Sequence, residues 1–415
     1  MNSTKIIALI LSIVATVNYL SAQTDCTGDK YANPNYFSNV KVTRNIVYGS
    51  NIGVTFPTAQ SLRLDVYEPA ADTMPGRHNR PLIILAHGGS FIGGDKNECE
   101  SLCNSFAKMG YVAVTIDYRT GIFVPNEVKT TLAVLRAMHD MRAAVRYFRK
   151  DAASANAYGV DTNRIIIGGI SAGAIAAIHV AYLDEDSEIP AYLVNDTAGL
   201  GGIEGVSGNP GYSSKAHGVV NYAGAIGDTL WINAGDIPIT SFHYSGDQTV
   251  PYDTREVSVN GIPTGLIASG SGSMKTRLEN EGVVNELTTY SGSGHVDYLN
   301  GSDYDTVINS TMMFLYNNVV CKQTTSAVLA EVSKIGMNIS PNPSAGVCVL
   351  RFNETPDASF TIEVYNSMGK LVFHSENQAR KETTLDLSHL SKGVYLVSAK
   401  TGNGQKIGIE KLIIR

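Results

Sequence analysis

The chain has 415 residues, 43 % of them hydrophobic and 17 % charged, which is enough for one large core plus a smaller module. A formal net charge of −6 leaves no basic footprint for nucleic acid or an anionic membrane, so neither is expected as a partner.

Residues 1–22 read as a signal peptide rather than as fold. Lys5 supplies a positive start, Ile6 to Val17 an apolar run too short to span a bilayer, and Leu20-Ser21-Ala22 a cleavage site before Gln23. No later stretch is long and apolar enough to cross a membrane, so the mature protein is expected to be exported without a transmembrane segment. Cys26, Cys99, Cys103 and Cys321 fall in the large module and Cys348 in the small one. Four cysteines allow three pairings, which stay open. Cys99 and Cys103 lie i, i+4 on an expected helix, but no Cys or His pair with ligand spacing follows, so no metal site is expected.

Strand signals begin at Lys41-Val42-Thr43 and Asn45 to Gly49, followed by the alternating run Ser61 to Tyr67. Leu82 to Ala86 is short and unbroken in its apolar character, as in a parallel strand covered on both faces. A helix over Glu98 to Met109, a strand over Tyr111 to Tyr118 and a long helix around Thr130 to Asp151 follow. Ile165 to Ile167 forms the next strand. Leu183 to Ala216, rich in Gly, Ser and Asp, reads as long surface loops rather than a large lid. Val219 to Tyr222, Ile237 to Tyr244 and Asn285 to Tyr290 complete the sheet, and a helix over Thr306 to Val319 closes the module. Strands alternating with helices predict one α/β domain over residues 23–321 with a mostly parallel sheet.

The stretch that organises this domain is Gly169-Ile170-Ser171-Ala172-Gly173, between the Ile165–Ile167 strand and a small-residue tract suited to start a helix. With forty glycines in the chain, G-x-S-x-G alone says little, and its flanks give it weight. A serine on a sharp strand-to-helix turn has strained backbone angles and lifts its hydroxyl clear of the sheet, and the helix N-terminus places free N–H groups beside it. Such a hydroxyl needs a base, and the base an orienting acid. In this type of sheet they follow in the order serine, acid, histidine. After Ser171 the large module holds His179, His217, His243 and His295. His179 lies two turns along the nucleophile helix, and His243 lies in or before the strand that must supply the acid. His295, in a small-residue loop after the last strand, is the expected base. Asp247, at the carboxyl end of a strand, is the expected acid, with Asp253 as its rival. The oxyanion hole needs backbone donors, expected from Ala172, just after the serine, and from Gly89 and Ser90 in His87-Gly88-Gly89-Ser90.

His87-Gly88-Gly89-Ser90-Phe91, Asp117-Tyr118-Arg119, the serine turn, Gly246-Asp247-Gln248-Thr249-Val250-Pro251 and Gly294-His295 together resemble an α/β-hydrolase of the carboxylesterase and lipase group, from about Lys41 to Val319. The resemblance implies an eight-stranded sheet with helices on both faces, ester hydrolysis through an acyl-enzyme, and no cofactor. It gives Ser171 the role of nucleophile, His295 general base and acid, and Asp247 orienting acid. Ser90 stands where many relatives have a third glycine or alanine, which bears on pocket shape near the acyl group. With no sizeable lid between Ile226 and Ile237, short-chain or aromatic esters are expected. Acetyl xylan or feruloyl esters and polyesters are the alternatives, and a non-catalytic surface binding protein is the non-enzyme alternative.

Residues 322–336 read as a linker, and 337–415 have the strand-and-turn rhythm of a small β-sandwich. Pro341-Asn342-Pro343, the turn Tyr365-Asn366-x-x-Gly369-Lys370 and Leu390-Ser391-x-Gly393-Val394-Tyr395-Leu396 resemble the C-terminal sorting domain of type IX secretion. That resemblance implies the type IX machinery as a partner, export through the periplasm, and release or attachment at the cell surface.

Overall fold

A computed structural model describes residues 24, 26, 28–70, 72, 79–191, 201–322, 337–356, 359–366, 370–401 and 406–415. The expected signal peptide and all of the expected linker but Lys322 lie outside the described residues. The chain divides into two units, Met1–Lys322 and Gln323–Arg415.

The first unit runs β1 (Val40–Ile52), β2 (Ala59–Pro69), β3 (Arg80–Ala86), α1 (Glu100–Lys108), β4 (Val112–Ile116), α2 (Glu127–Ala152), β5 (Val160–Ile170) and α3 (Ala172–Tyr182). It continues with β6 (Gly218–Tyr222), β7 (Ala225–Ile226), β8 (Ile239–Tyr244), β9 (Thr254–Val259), β10 (Ile262–Gly270), α4 (Ser271–Asn280), β11 (Asn285–Tyr290) and α5 (Tyr304–Leu315). Eight strands form one sheet in the order β1-β2-β4-β3-β5-β6-β8-β11. The two junctions made by β2 are antiparallel and the other five parallel. Every residue of β3 is buried, because helices cover both faces and leave no side that favours polar side chains. The alternation of side chains sends Ile84 and Ile167 to the α2 and α3 face, and Ile83, Leu85 and Ile166 to the α1 and α5 face. Helix α2 starts three residues before the apolar period suggests, because Asn126 caps it by accepting from the Lys129 amide at 2.9 Å.

Cys26 and Cys321 form a disulfide across 295 residues of sequence, joining the two ends of this unit. Cross-linking so long a loop removes much of the unfolded chain's freedom. Cys99 and Cys103 are buried free thiols. The stretch Leu183 to Ala216 is more than surface loop where it is described. Ser207 is fully buried and donates to Asp140 Oδ1 at 2.6 Å, and Arg142 and Arg146 both pair with Glu204 at 2.9 Å. The sequence reading placed no element between Pro251 and Asn285, where β9, β10 and α4 lie. Strands β9 and β10 join β7 in a three-stranded antiparallel sheet.

The second unit contains β12 (Met337–Ser340), β13 (Val347–Phe352), β14 (Phe360–Asn366), β15 (Leu371–Asn377), β16 (Glu382–Asp386), β17 (Gly393–Thr401) and β18 (Lys406–Ile414). They form two antiparallel sheets, β12-β13-β16 and β15-β14-β17-β18, around a core that includes Leu350, Phe352, Ile362, Val364, Leu385, Val397 and Leu412.

Candidate active site

Ser171 occupies the turn between β5 and α3 with φ 53° and ψ −114°, a conformation that side-chain-bearing residues rarely adopt. Its amide donates to the Tyr222 carbonyl at 2.8 Å and its own carbonyl accepts from Ile175 at 2.9 Å, so neighbouring structure holds the strain in place. Gly173 permits the close approach of α3 to β3, since any Cβ there would collide with the Ala86 carbonyl. The Ala172 amide sits in the first turn of α3, where backbone donors have no intrahelical acceptor.

Facing this turn, the loop after β3 carries His87 to Phe91. Gly89 has φ +103°, and Ser90 and Phe91 follow at 53° and 59°. Tyr118 stacks on the His87 ring at 4.4 Å and donates its hydroxyl to the His87 carbonyl at 2.9 Å. The Gly121 amide donates to the Phe91 carbonyl at 2.7 Å. Glu98 accepts the Gly88 N–H on Oε2 at 2.7 Å, a contact the sequence reading missed. Among the described residues the Gly89 and Ser90 amides donate to nothing.

Asp247 lies just past β8 and His295 just past β11, the adjacent strand, and His295 Nδ1 bonds Asp247 Oδ2 at 2.6 Å. Asp247 Oδ1 accepts the amides of Thr249 and Val250 at 2.7 and 3.0 Å. Burial by itself would raise the Asp247 carboxyl. Hydrogen bonds from His243 and His295, helped by the Thr249 amide, outweigh it and hold the group well below the ordinary carboxylate range. Among the described residues His295 Nε2 is shielded from solvent and has no hydrogen-bond partner, and no hydrogen bond joins it to Ser171.

The other candidates are placed elsewhere. His179 bonds the Ile175 carbonyl through Nδ1 at 2.7 Å and accepts the Gly227 amide on Nε2 at 3.3 Å. Burial lowers it to about 4. His217 accepts the Ile165 amide at 3.2 Å. The Asp253 side chain bonds no histidine among the described residues.

A cavity of about 580 Å³ opens at Ser171, with Ser90 and Ala172 beside it. Its walls are mainly apolar: Val134, Leu135, Ile175, Leu183, Ile189 and Ile226, with Trp231 and, from the β9–β10 hairpin, Val257, Leu266 and Ile267. The hairpin wall was legible in principle. Asn260-Gly261 between two apolar-containing runs is a strong short hairpin signal, and both residues take the positive φ that such a turn needs.

The sheet order, the strained serine turn and the helices on both faces define the large unit as an α/β-hydrolase. Residues 64–206 match the BD-FAE family, an α/β-hydrolase esterase family, and residues 338–415 match the secretion system C-terminal sorting domain. The large unit thus carries an esterase-family match over part of its length, and the C-terminal unit a match to a sorting domain of the kind that directs export to the cell surface or the medium. No curated protein matches it. Among solved structures, it resembles Thermogutta terrifontis esterase 2 phosphorylated by paraoxon at 20 % identity, covering 68 % of this chain and 95 % of that one with a TM-score of 0.48. The apo form of the same esterase gives 20 % identity, 68 % and 96 % coverage and a TM-score of 0.48. Its butyrate-bound form gives 19 %, 68 %, 94 % and 0.48. Among the described residues no helix is long and apolar enough to cross a membrane, and no cluster of His, Cys, Asp or Glu could hold a metal ion.

Proposed function

We propose that the protein is an exported serine carboxylesterase that works through an acyl-enzyme on Ser171. The observation that carries this reading is the His295–Asp247 hydrogen bond of 2.6 Å, which leaves His295 Nε2 buried and unpartnered. A neutral imidazole that donates from Nδ1 carries its lone pair on Nε2, as a base for a serine hydroxyl requires. The missing Ser171–His295 bond accords with a resting site, since such bonds are often long before substrate binds.

In the reaction Ser171 Oγ attacks the ester carbonyl carbon while its proton passes to His295 Nε2. The carbonyl π electrons move to oxygen, and the resulting oxyanion is held by the amides of Ala172, Gly89 and Ser90. Asp247 stabilises the imidazolium without taking its proton. Collapse expels the alkoxide, which takes the proton from His295 and leaves as the alcohol, with Ser171 acylated. Water, deprotonated by His295, repeats the sequence and releases the acid.

The cavity volume and its apolar walls favour esters with an aromatic or short aliphatic acyl group over strongly polar ones. A panel of p-nitrophenyl esters from acetate to octanoate, with benzoate and cinnamate, tests both parts. We expect hydrolysis that Ser171→Ala abolishes. Equal rates for wild type and variant would remove the enzymatic reading, and the fold would then serve binding. The sorting domain is read as passing the chain to type IX machinery. Deleting residues 337–415 should keep hydrolysis and trap the enzyme in the periplasm, and normal export of that truncation would overturn the assignment.

A further inference from the structure

A second histidine touches the same carboxylate. His243, at 0 % exposure inside β8, places Nε2 3.3 Å from Asp247 Oδ2 and 3.3 Å from the Val250 carbonyl. Its Nδ1 lies 2.8 Å from Ser271 Oγ. Asn221, also fully buried, fixes the proton order behind it. The Gly224 amide donates to Asn221 Oδ1 at 2.7 Å, so Nδ2 must carry the two hydrogens that go to Ser241 Oγ at 3.0 Å and Ser271 Oγ at 3.1 Å. Ser271 therefore accepts from Asn221 and gives its own proton to His243 Nδ1, the acceptor within its reach. Nδ1 is then a lone pair and Nε2 carries the hydrogen, aimed at two oxygen acceptors. The opposite tautomer would set an Nε2 lone pair against both oxygens and strand the Ser271 proton.

This settles what Asp247 can do. Its carboxylate accepts from Thr249 and Val250 on one oxygen and from His295 on the other, and the His243 Nε2–H stands 3.3 Å from that second oxygen, so a donor faces each of the four acceptor positions a carboxylate offers. No position remains for a proton.

We propose that His243 is a positioning residue for the reaction: by supplying the fourth donor, backed by Ser271 and Asn221, it holds Asp247 ionised and oriented, and through Asp247 sets the tautomer and aim of His295. This rests on the catalytic reading of Ser171, Asp247 and His295 given above. The other groups around the pair are Tyr298 beside Asp247, Tyr252 edge-on to the His243 ring at 5.6 Å, Arg255 at the Asp247 main-chain carbonyl, and Asp297 at the His295 amide. None of them donates to the Asp247 carboxylate.

The test compares His243→Phe, which keeps a ring but no donor, with His243→Gln, which restores an N–H, on the full chain with p-nitrophenyl butyrate. We expect His243→Phe to lower kcat by about ten- to a hundredfold, the range for a misaimed catalytic group, with KM unchanged, and His243→Gln to recover much of it. Independently of turnover, the far-downfield proton resonance of the His295–Asp247 bond should collapse at a higher pH in His243→Phe than in wild type. A folded His243→Phe with wild-type kcat and resonance overturns the proposal, as does a His243→Gln no better than the Phe variant. If His243→Phe does not fold, Ser271→Ala decides: a smaller kcat loss with the same upward movement of the resonance limit is expected, and no movement overturns the proposal. Wild type inactive on every ester would instead defeat the catalytic reading, so the two failures are distinct.

Discussion

The two sides of the candidate site are preorganised by different means. On the Ser171 side the main chain is held in an unfavourable shape: Ser171, Ser90 and Phe91 all have positive φ, locked by backbone bonds to Tyr222, Ile175 and Gly121. On the Asp247 side the order lies in side chains, where a buried carboxylate takes every donor it can accept and a histidine–serine–asparagine relay stands behind it. Strain of the first kind costs stability and exists to present an atom. Saturation of the second kind is satisfied bonding, so it fixes charge and direction without strain. Breaking the first side should therefore free energy while removing activity, whereas breaking the second should lose both.

The largest effect is expected from Ser171→Gly. It deletes the nucleophile, so kcat should fall by about a millionfold, yet glycine accepts φ 53° and the variant should be about 1 kcal/mol more stable. Rates on p-nitrophenyl butyrate and urea unfolding measure the two. A less stable variant would mean that the elbow is not strained. Asp247→Asn is the matching cut on the other side. Its amide presents hydrogens where donors now point, so kcat should fall by about 10⁴-fold and stability by about 1–3 kcal/mol. Loss of activity with unchanged stability would show that the donors around Asp247 find other acceptors. A smaller effect should follow from Glu98→Ala, which leaves the Gly88 amide without its 2.7 Å acceptor and loosens the loop bearing Gly89 and Ser90. There kcat should fall about tenfold, the scale for slight misplacement, and Glu98→Gln, which keeps an acceptor oxygen, should stay near wild type.

The same contrast explains what the sequence discloses. β3 and β5 are legible because strands buried on both faces leave an unbroken apolar run, and the serine turn is legible because its small residues answer to local clashes such as Gly173 against Ala86. Backbone constraints write themselves into local composition. Side-chain relays do not. Asp247 and His295, 48 positions apart, are reached through chain order and their places at strand ends, whereas Ser271 and Asn221 lie on other elements than His243 and nothing local marks those three as partners. The contact between Glu98 and Gly88 likewise depends on how the turn before α1 folds back. The β9–β10 hairpin was missed for another reason. Strand β9 is largely exposed, β10 is buried over only part of its length, and both are mixed in polarity, so only Asn260-Gly261 announced it.

The smallest effect is a slope rather than a loss, and it separates the two sides by pH. Burial lowers His139 to about 3, with Arg119 and Arg142 adding repulsion, and lowers His179 and His217 to about 4. Each would titrate near 6.5 in the unfolded chain. Above that pH both states are neutral and the full stability is present. As pH falls, the unfolded chain takes up protons that the folded chain refuses, so stability drops between about 6.5 and about 4, at up to about 1.4 kcal/mol per pH unit for a fully buried histidine such as His139. His179 stands on α3, so this weakening reaches the Ser171 side. Asp247 is held below the ordinary carboxylate range and keeps its charge throughout the same window. Urea midpoints from pH 8 to pH 4 should fall with up to three protons taken up on unfolding, and His217→Gln should remove one of them. A midpoint independent of pH across that range would mean that the three imidazoles are not held neutral by burial.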